Sequence, residues 1–511
     1  MRSRTGRSYI SPMSYAPRPR SDARKMIRKR MHPSAIERRN QSSNTSYQHP
    51  KTSAQLHSNT KRVMNRLIAA CLCLAVLSCR KGDHTNTPAT TTSRAVPAPN
   101  PLSLALAPHT GSGRVDKEII RIQSEVRAGR SSEMSIERLG WAFVSKARES
   151  FDPGYYKLAE QCALVLDLSS SNHLDALLLR GHALHNLHRF SEAEPLARVL
   201  VAERGLPFDF GLLSDVLMEQ GKLEEAIAAC QKMVDLRPDL HSYARGAHFR
   251  WLRGDVAGAA ELMRLAAGAA SPLDAESAAW VNTRLAGYEF QLGSLKDAER
   301  SCALALEYQK DYPPALLLTG RLMLAQQNNA TAVGALRRAT ELNPMPEYQW
   351  ALAEALRADR QGEEAARVET QLREKGTMND PRTYALFLAT RAESATTALR
   401  LAEAELKSRA DVFTHDALAW ALAASGNLAE ARQQMAQALA EGTRDARLFF
   451  HGAIIANRAG DDSSARIHAQ KAAELQRLLL PSEREQLEAF NSSLADRLLA
   501  ASEFNNKPRT K

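Results

Sequence analysis

The sequence predicts an all-α protein, a solenoid of about ten stacked helix–turn–helix units closed by a capping helix near its C-terminal end. Three observations predict it. One alanine recurs at a nearly constant interval, a second small residue keeps a fixed distance ahead of it, and glycines fall between the two. Composition agrees: 44% of the 511 residues are apolar but only 6% aromatic, and Ala and Leu dominate much of the second half. That mixture suits long helices better than sheets, which need more Val, Ile, Thr and aromatics.

The recurring alanine runs through Ala159, Ala193, Ala226, Ala259, Ala298, Ala332, Ala365, Ala398, Ala431 and Ala465, in steps of 34, 33, 33, 39, 34, 33, 33, 33 and 34. A unit of this length cannot bury its apolar face alone and must stack on its neighbours. The second small residue stands 12 positions earlier, at Ala147, Gly181, Ser214, Ala247, Ala286, Gly320, Ala353, Ala419 and Ala453, with Leu386 as the exception. Small side chains at both positions let two antiparallel helices approach closely. Gly221, Gly254, Gly293, Gly426 and Gly460 lie between them, placed to end the first helix in a left-handed turn. The unit joining Ala259 to Ala298 carries extra residues around 271–275, which blurs that boundary.

The segments GKLEEAI from Gly221, GSLKDAE from Gly293 and GNLAEAR from Gly426, with Pro238 and Pro344 each 12 residues past its alanine, resemble tetratricopeptide (TPR) repeats. The resemblance covers residues 139–475 and implies a right-handed superhelix whose first helices line a concave groove. Two departures stand out: the family's aromatic positions in the first helix are mostly aliphatic here, and most units lack the proline. The repeat domain is drawn from 114 to 478, and a C-terminal cap and tail from 479 to 511. In the cap, residues 482–485 (SERE) resemble a capping box just after Pro481, opening a helix to about Ala501.

In the small-residue register, all five tryptophans fall on groove-facing positions. The expected partner-binding groove is Trp141, His182, His185, Phe208, Trp251, Trp280, Phe290, Trp350, Arg357 and Trp420, with Phe387, Phe450, Asp215, Glu219, Glu354 and Arg458 on the same face. Aromatics mixed with charges suit a peptide-binding surface, since they bury large area with few rotors to freeze. The same inner positions also touch the next repeat, so each Trp can equally fill an inter-repeat gap.

The repeats leave no block long enough for a catalytic domain, and no phosphate loop, HExxH helix, GxSxG elbow or CxxC pair occurs. No catalytic residue, cofactor or metal site is expected. His182, His185 and His188 do not change this, because the outer two are about 240° apart on a helix. Cys162, Cys230 and Cys302 are isolated from one another and read as small buried hydrophobes.

The net charge of +11 is confined to one end. Residues 1–63 hold 15 Lys/Arg against 2 Asp/Glu, whereas residues 79–511 hold 52 against 55. A nucleic-acid reading would rest on the first 63 residues alone. The apolar run LIAACLCLAVLSC, from Leu67 to Cys79, is 13 residues long. That falls short of the roughly 20 a membrane span needs and fits a signal-peptide core behind Lys61, Arg62 and Arg66. Its end, VLSC, resembles a bacterial lipobox. The resemblance implies a signal peptide over 64–78, lipidation of Cys79 and translation from Met64, with residues 1–63 a disordered basic segment outside the working protein. Residues 79–113, rich in Thr, Pro, Ala and Ser, read as a spacer.

The expected function is a lipid-anchored envelope scaffold that binds proteins or peptides, with no nucleic acid. Arg80 after the cysteine favours the outer membrane. The alternative is a cytoplasmic adaptor whose basic arm contacts nucleic acid or anionic membrane.

Overall fold

The computed structural model describes residues 100–130, 132–169 and 174–505, the side chains of 169 and 495–505 excepted. The basic segment 1–63, the 64–78 signal-type segment, Cys79 and the spacer to residue 99 lie outside them. Among the described residues every regular element is a helix, and the fold is a superhelical TPR-type solenoid.

Two helices precede the repeats, α1 (Pro101–Ala105) and α2 (Arg114–Arg127). Repeat 1 pairs α3 (Glu133–Ser150) with α4 (Gly154–Ser169), and repeat 2 pairs α5 (Leu174–Asn186) with α6 (Phe190–Glu203). Repeat 3 is α7 (Pro207–Glu219) and α8 (Leu223–Leu236); repeat 4 is α9 (Leu240–Leu252) and α10 (Val256–Gly268). Repeat 5 is α11 (Ala275–Leu292) and α12 (Leu295–Tyr308), and repeat 6 is α13 (Pro313–Ala325) and α14 (Asn329–Leu342). Repeat 7 is α15 (Pro346–Ala358) and α16 (Gly362–Asn379); repeat 8 is α17 (Pro381–Thr390) and α18 (Ala395–Leu406). Repeat 9 is α19 (Val412–Ala424) and α20 (Leu428–Leu439), repeat 10 is α21 (Ala446–Arg458) and α22 (Asp462–Glu474), and α23 (Pro481–Asn505) is the last described helix.

Every one of the ten marker alanines is 0% exposed. Each sits on the second helix of its hairpin, where the partner helix leaves room for a methyl and nothing larger. In repeat 3 the small partner is a serine, and Ser214 Oγ donates to the Ala226 carbonyl at 2.9 Å, which satisfies a buried hydroxyl. The five predicted turn glycines all take the left-handed conformation, with φ from 73 to 84°. The extra residues ahead of repeat 5 form a turn carrying exposed Leu273 and lengthen α11 to 18 residues. Where Leu386 replaces the small residue, α17 is only 10 residues long. The turn after it holds two non-glycine residues at positive φ, Ala392 and Ser394.

Two expectations need correcting at the ends. Residues 100–113 are not spacer. Asn100 caps α1, Ala105 is fully buried, and Gln123 of α2 donates to the carbonyls of Ala105 and Ala107 at 3.0 and 2.9 Å. At the C-terminal end, Ser482 does not cap α23. The helix begins at Pro481, and the Glu483 carboxylate accepts from the Leu480 N–H at 2.9 Å. Ser482 turns instead to Glu354 of repeat 7.

That contact belongs to a seam along which the solenoid closes on itself. Arg148 of repeat 1 pairs with Glu276 of repeat 5. Glu219 of repeat 3 meets Arg409 at 2.7 Å, and its carbonyl accepts from the Ala410 N–H at 2.9 Å. The Leu252 carbonyl of repeat 4 accepts from Thr443 Oγ1 at 2.6 Å, and Arg253 pairs with Glu441 at 2.7 Å. Arg477 donates to the Phe290 carbonyl at 3.1 Å, and Arg321 to the Leu478 carbonyl at 2.6 Å. The turns inside repeats 3 and 4 thus rest on the loops that introduce repeats 9 and 10. The loop before α23 in the same way covers the first helices of repeats 5 and 6.

Candidate binding groove

Closure divides the predicted groove in two. In the later repeats its aromatics are taken into the core, the gap-filling outcome that their inner positions also allowed. Trp350 is 1% exposed, set edge-on to Phe387 with rings 5.7 Å apart and under the Arg447 guanidinium at 4.8 Å. Trp420 is 5% exposed and stacked on His451 at 4.1 Å, with its indole N–H donating to Thr390 Oγ1 at 3.0 Å. Phe290, Phe387 and Phe450 are also buried. For Trp350 and Phe290 the physical reason is the return of the chain, which brings Arg447 and residues 477–478 against them, whereas Trp420 is covered by the adjoining repeats through Thr390 and His451. Glu354 is buried between Ser482 and Arg391, while Arg357 is exposed and spends its charge on Glu369. Arg458 is exposed, with a weak 3.4 Å bond to the Ala423 carbonyl.

The earlier repeats keep an accessible inner face. Phe208 is 39% and Trp280 38% exposed. Trp141, His182, His185, Asp215, Arg245, His248, Trp251 and Arg284 are each partly exposed. The first helices place them as a ladder: Trp141 and Arg148 on α3, His182 and His185 on α5, and Phe208 and Asp215 on α7. His241, Arg245, His248 and Trp251 follow on α9, with Trp280, Arg284 and Tyr288 on α11. Neighbouring rungs touch. Trp141 lies 5.6 Å from His182, Phe208 meets His241 edge-on at 5.8 Å, and Trp251 is 6.4 Å from Tyr288. Phe413, arriving from repeat 9, stacks on Trp251 at 5.5 Å and marks where the open surface ends.

One ion pair crosses the ladder: Arg245 grips Asp215 with two bonds of 2.8 and 2.6 Å. Burial works to raise the Asp215 carboxyl, but the Arg245 guanidinium outweighs it and holds the acid below its usual range. The histidines respond in the opposite sense. Burial, then His185 and Arg148, push His182 down to about 3, and burial with Arg284 does the same to His248. His185 is lowered by burial too. These three imidazoles are therefore neutral hydrogen-bonding surfaces at physiological pH.

Sequence reasoning missed Arg245, His248, Arg284 and Tyr288 as groove residues. The register that located Trp251 and Trp280 places His248 and Arg284 about one helical turn away and Arg245 and Tyr288 about two, so the signal was present. The three cysteines of the repeats are buried free thiols, as expected, and burial pushes Cys230 and Cys302 up to about 12.

Residues 210–240, most of α7 and all of α8, match the tetratricopeptide repeat family model. Solved structures similar to this chain include a chain of the APC/C hetero-tetramer Cut9–Hcn1, at 15% identity over 70% of this chain and 62% of that one, with a TM-score of 0.40. The human IFIT1 dimer with PPP-AAAA matches at 15% identity over 61% of this chain and 73% of that one, with a TM-score of 0.42. Yeast Tom70 matches at 14% identity over 77% of this chain and 99% of that one, with a TM-score of 0.31. These likenesses concern the helical-repeat fold alone. A search of curated proteins finds no match.

Proposed function

We propose that this chain is a non-enzymatic scaffold that binds a protein or peptide partner on the concave surface of repeats 1–5, tethered to a bacterial envelope membrane through a lipid on Cys79. One observation supports the binding reading most. The inner face of the early repeats leaves Phe208 and Trp280 more than a third exposed, whereas the matching aromatics of the later repeats are buried. Aromatic side chains held at the surface of a rigid helical frame bury large area with few rotors to freeze when a partner covers them. The outer membrane is the compartment that Arg80 after the cysteine suggests.

A photo-crosslinking residue placed at Phe208, in the native host, tests the binding reading. Adducts that disappear when Trp280 is replaced by alanine, with the melting temperature unchanged, are expected. No adduct at Phe208, alongside adducts from a crosslinker on the outer helix faces, would sink the groove reading. Intact mass of the membrane fraction tests the anchor. A species beginning at Cys79 with added acyl mass supports it, while a soluble species retaining residues 1–63 would replace it with the basic-arm adaptor.

A further inference from the structure

Charge on the inner face of repeats 1–5 does not balance. Arg148 is paired with Glu276 and Arg245 with Asp215. Arg284 has neither kind of partner. Its polar contact is His248 Nδ1 at 3.3 Å, and its guanidinium lies 5.7 Å from the Tyr288 ring centroid. Among the described residues no carboxylate lies within ion-pair distance of it. Beside it, Tyr288 is 3% exposed and buried against the Arg284 guanidinium. His248 adds a donor: an imidazole whose Nδ1 accepts from Arg284 carries its proton on Nε2. His185 Nε2, two rungs along the ladder, is buried without a partner.

A guanidinium with no carboxylate beside it and a neighbouring imidazole N–H, on α11 and α9, describe a site for a group that accepts. We propose that the concave surface of repeats 2–5 binds an extended, acidic segment of a partner protein, one carboxylate of which is held by Arg284 beside His248. Trp251 and Trp280 flank these donors and supply apolar walls for the residues on either side of the acid. The inference rests on the scaffold reading above and names its ligand. The chain's own N-terminal segment does not fit as the occupant, because residues 1–63 carry 15 bases against 2 acids and would be repelled. A nucleic acid fits poorly as well. Its affinity comes from many neutralised phosphates, whereas this face offers one uncompensated guanidinium in a body of 52 bases and 55 acids.

The test uses the full chain and three nine-residue peptides that alternate leucine with glutamate, glutamine or lysine, titrated by calorimetry and by tryptophan fluorescence. The glutamate peptide is expected to bind most tightly. Arg284→Gln should weaken it at least about tenfold, the worth of one charge-assisted hydrogen bond, and Arg284→Lys should recover part of that loss. Because Arg284 leaves no acid orphaned when it is removed, both variants should keep the parent melting temperature. Trp280→Ala is a second variant, expected to weaken the glutamate and glutamine peptides alike, since it removes an exposed apolar wall and leaves the charge. Equal binding of the glutamate and glutamine peptides, or indifference of the glutamate peptide to Arg284→Gln, would overturn the acidic site. The crosslinking result at Phe208 then decides the scaffold reading separately. Tighter binding of a single-stranded oligonucleotide of matched charge would overturn the site in favour of a nucleic-acid partner.

Discussion

Replacing Gly254 by alanine tests whether the seam holds the solenoid closed. Gly254 has a φ of 77°, and a Cβ built there would stand 2.5 Å from the Gly442 carbonyl oxygen across the seam. Gly460 serves as the control, with φ 78° and nothing within 4 Å of the same position. Both substitutions carry the left-handed penalty of an L-residue, about 1–2 kcal/mol. Only Gly254→Ala adds an overlap, and the atom it meets is backbone, which cannot rotate out of the way. Forcing a methyl into a packed contact costs about 1–3 kcal/mol. The neighbouring Thr443–Leu252 bond at 2.6 Å and the Arg253–Glu441 pair at 2.7 Å must stretch with it. Gly254→Ala is therefore expected to be less stable than Gly460→Ala by about 2 kcal/mol in urea unfolding followed by circular dichroism. Small-angle scattering should show a larger radius of gyration for Gly254→Ala alone. Equal stabilities with identical scattering curves would refute the claim that these contacts hold the turns together.

Trp350→Ala should cost about 3–5 kcal/mol, as for a large core side chain, whereas exposed Phe208→Ala should stay within about 0.5 kcal/mol; scanning calorimetry of the two separates core from surface. Asp116 is held at about 2, first by the Lys146 ammonium at 2.8 Å and then, against burial, by His109 and the Gly113 N–H. Its contribution is complete above its ordinary value of 3.8 and disappears as pH falls through about 2, so residues 100–113 should become pepsin-sensitive across that window. Asp116→Asn should show that sensitivity at higher pH. His182 refuses a proton until about 3, while the unfolded chain accepts one near 6.5. Stability should therefore decline as pH drops from 6.5 towards 3, and His182→Gln should flatten the slope of the urea midpoint against pH.

What the sequence revealed and what it concealed follow from the range of each constraint. Ala226 and Ser214 belong to one hairpin, so the demand for small residues is local and repeats visibly along the chain. The turn glycines are legible for the same reason, since a left-handed turn is a property of a few residues. Trp350 and Phe208 are another matter. Both satisfy the same register, yet one is buried and the other exposed, and the difference arises from how far the superhelix winds before it meets itself. That pitch is the sum of small rotations between repeats, and no single residue encodes it. The seam's acceptors hide further, because the carbonyls of Leu252, Phe290 and Leu478 carry no side-chain signature. Ser482 shows the cost of reading locally: its pattern matched a helix start, but its hydroxyl serves Glu354, 128 residues away. Arg284 was readable in position but not in meaning, since an unbalanced charge is recognised only once its neighbours are known.

Most solenoids can gain or lose a unit and remain themselves, because each repeat depends only on those beside it. The bond between Thr443 and Leu252 spans 191 positions, and such contacts place this chain nearer to a clasped bracelet than to a string of beads. Cutting out repeat 6 or 7 would still leave every unit stacked on a neighbour, yet it would bring the wrong loop opposite Gly254. The number of units between the clasp's two halves is thus fixed by phase, and lengthening the protein by duplication is open only outside them. Folding inherits the same condition. Hairpins can form anywhere along the chain, but the final ring awaits the last repeat and the loop beyond it.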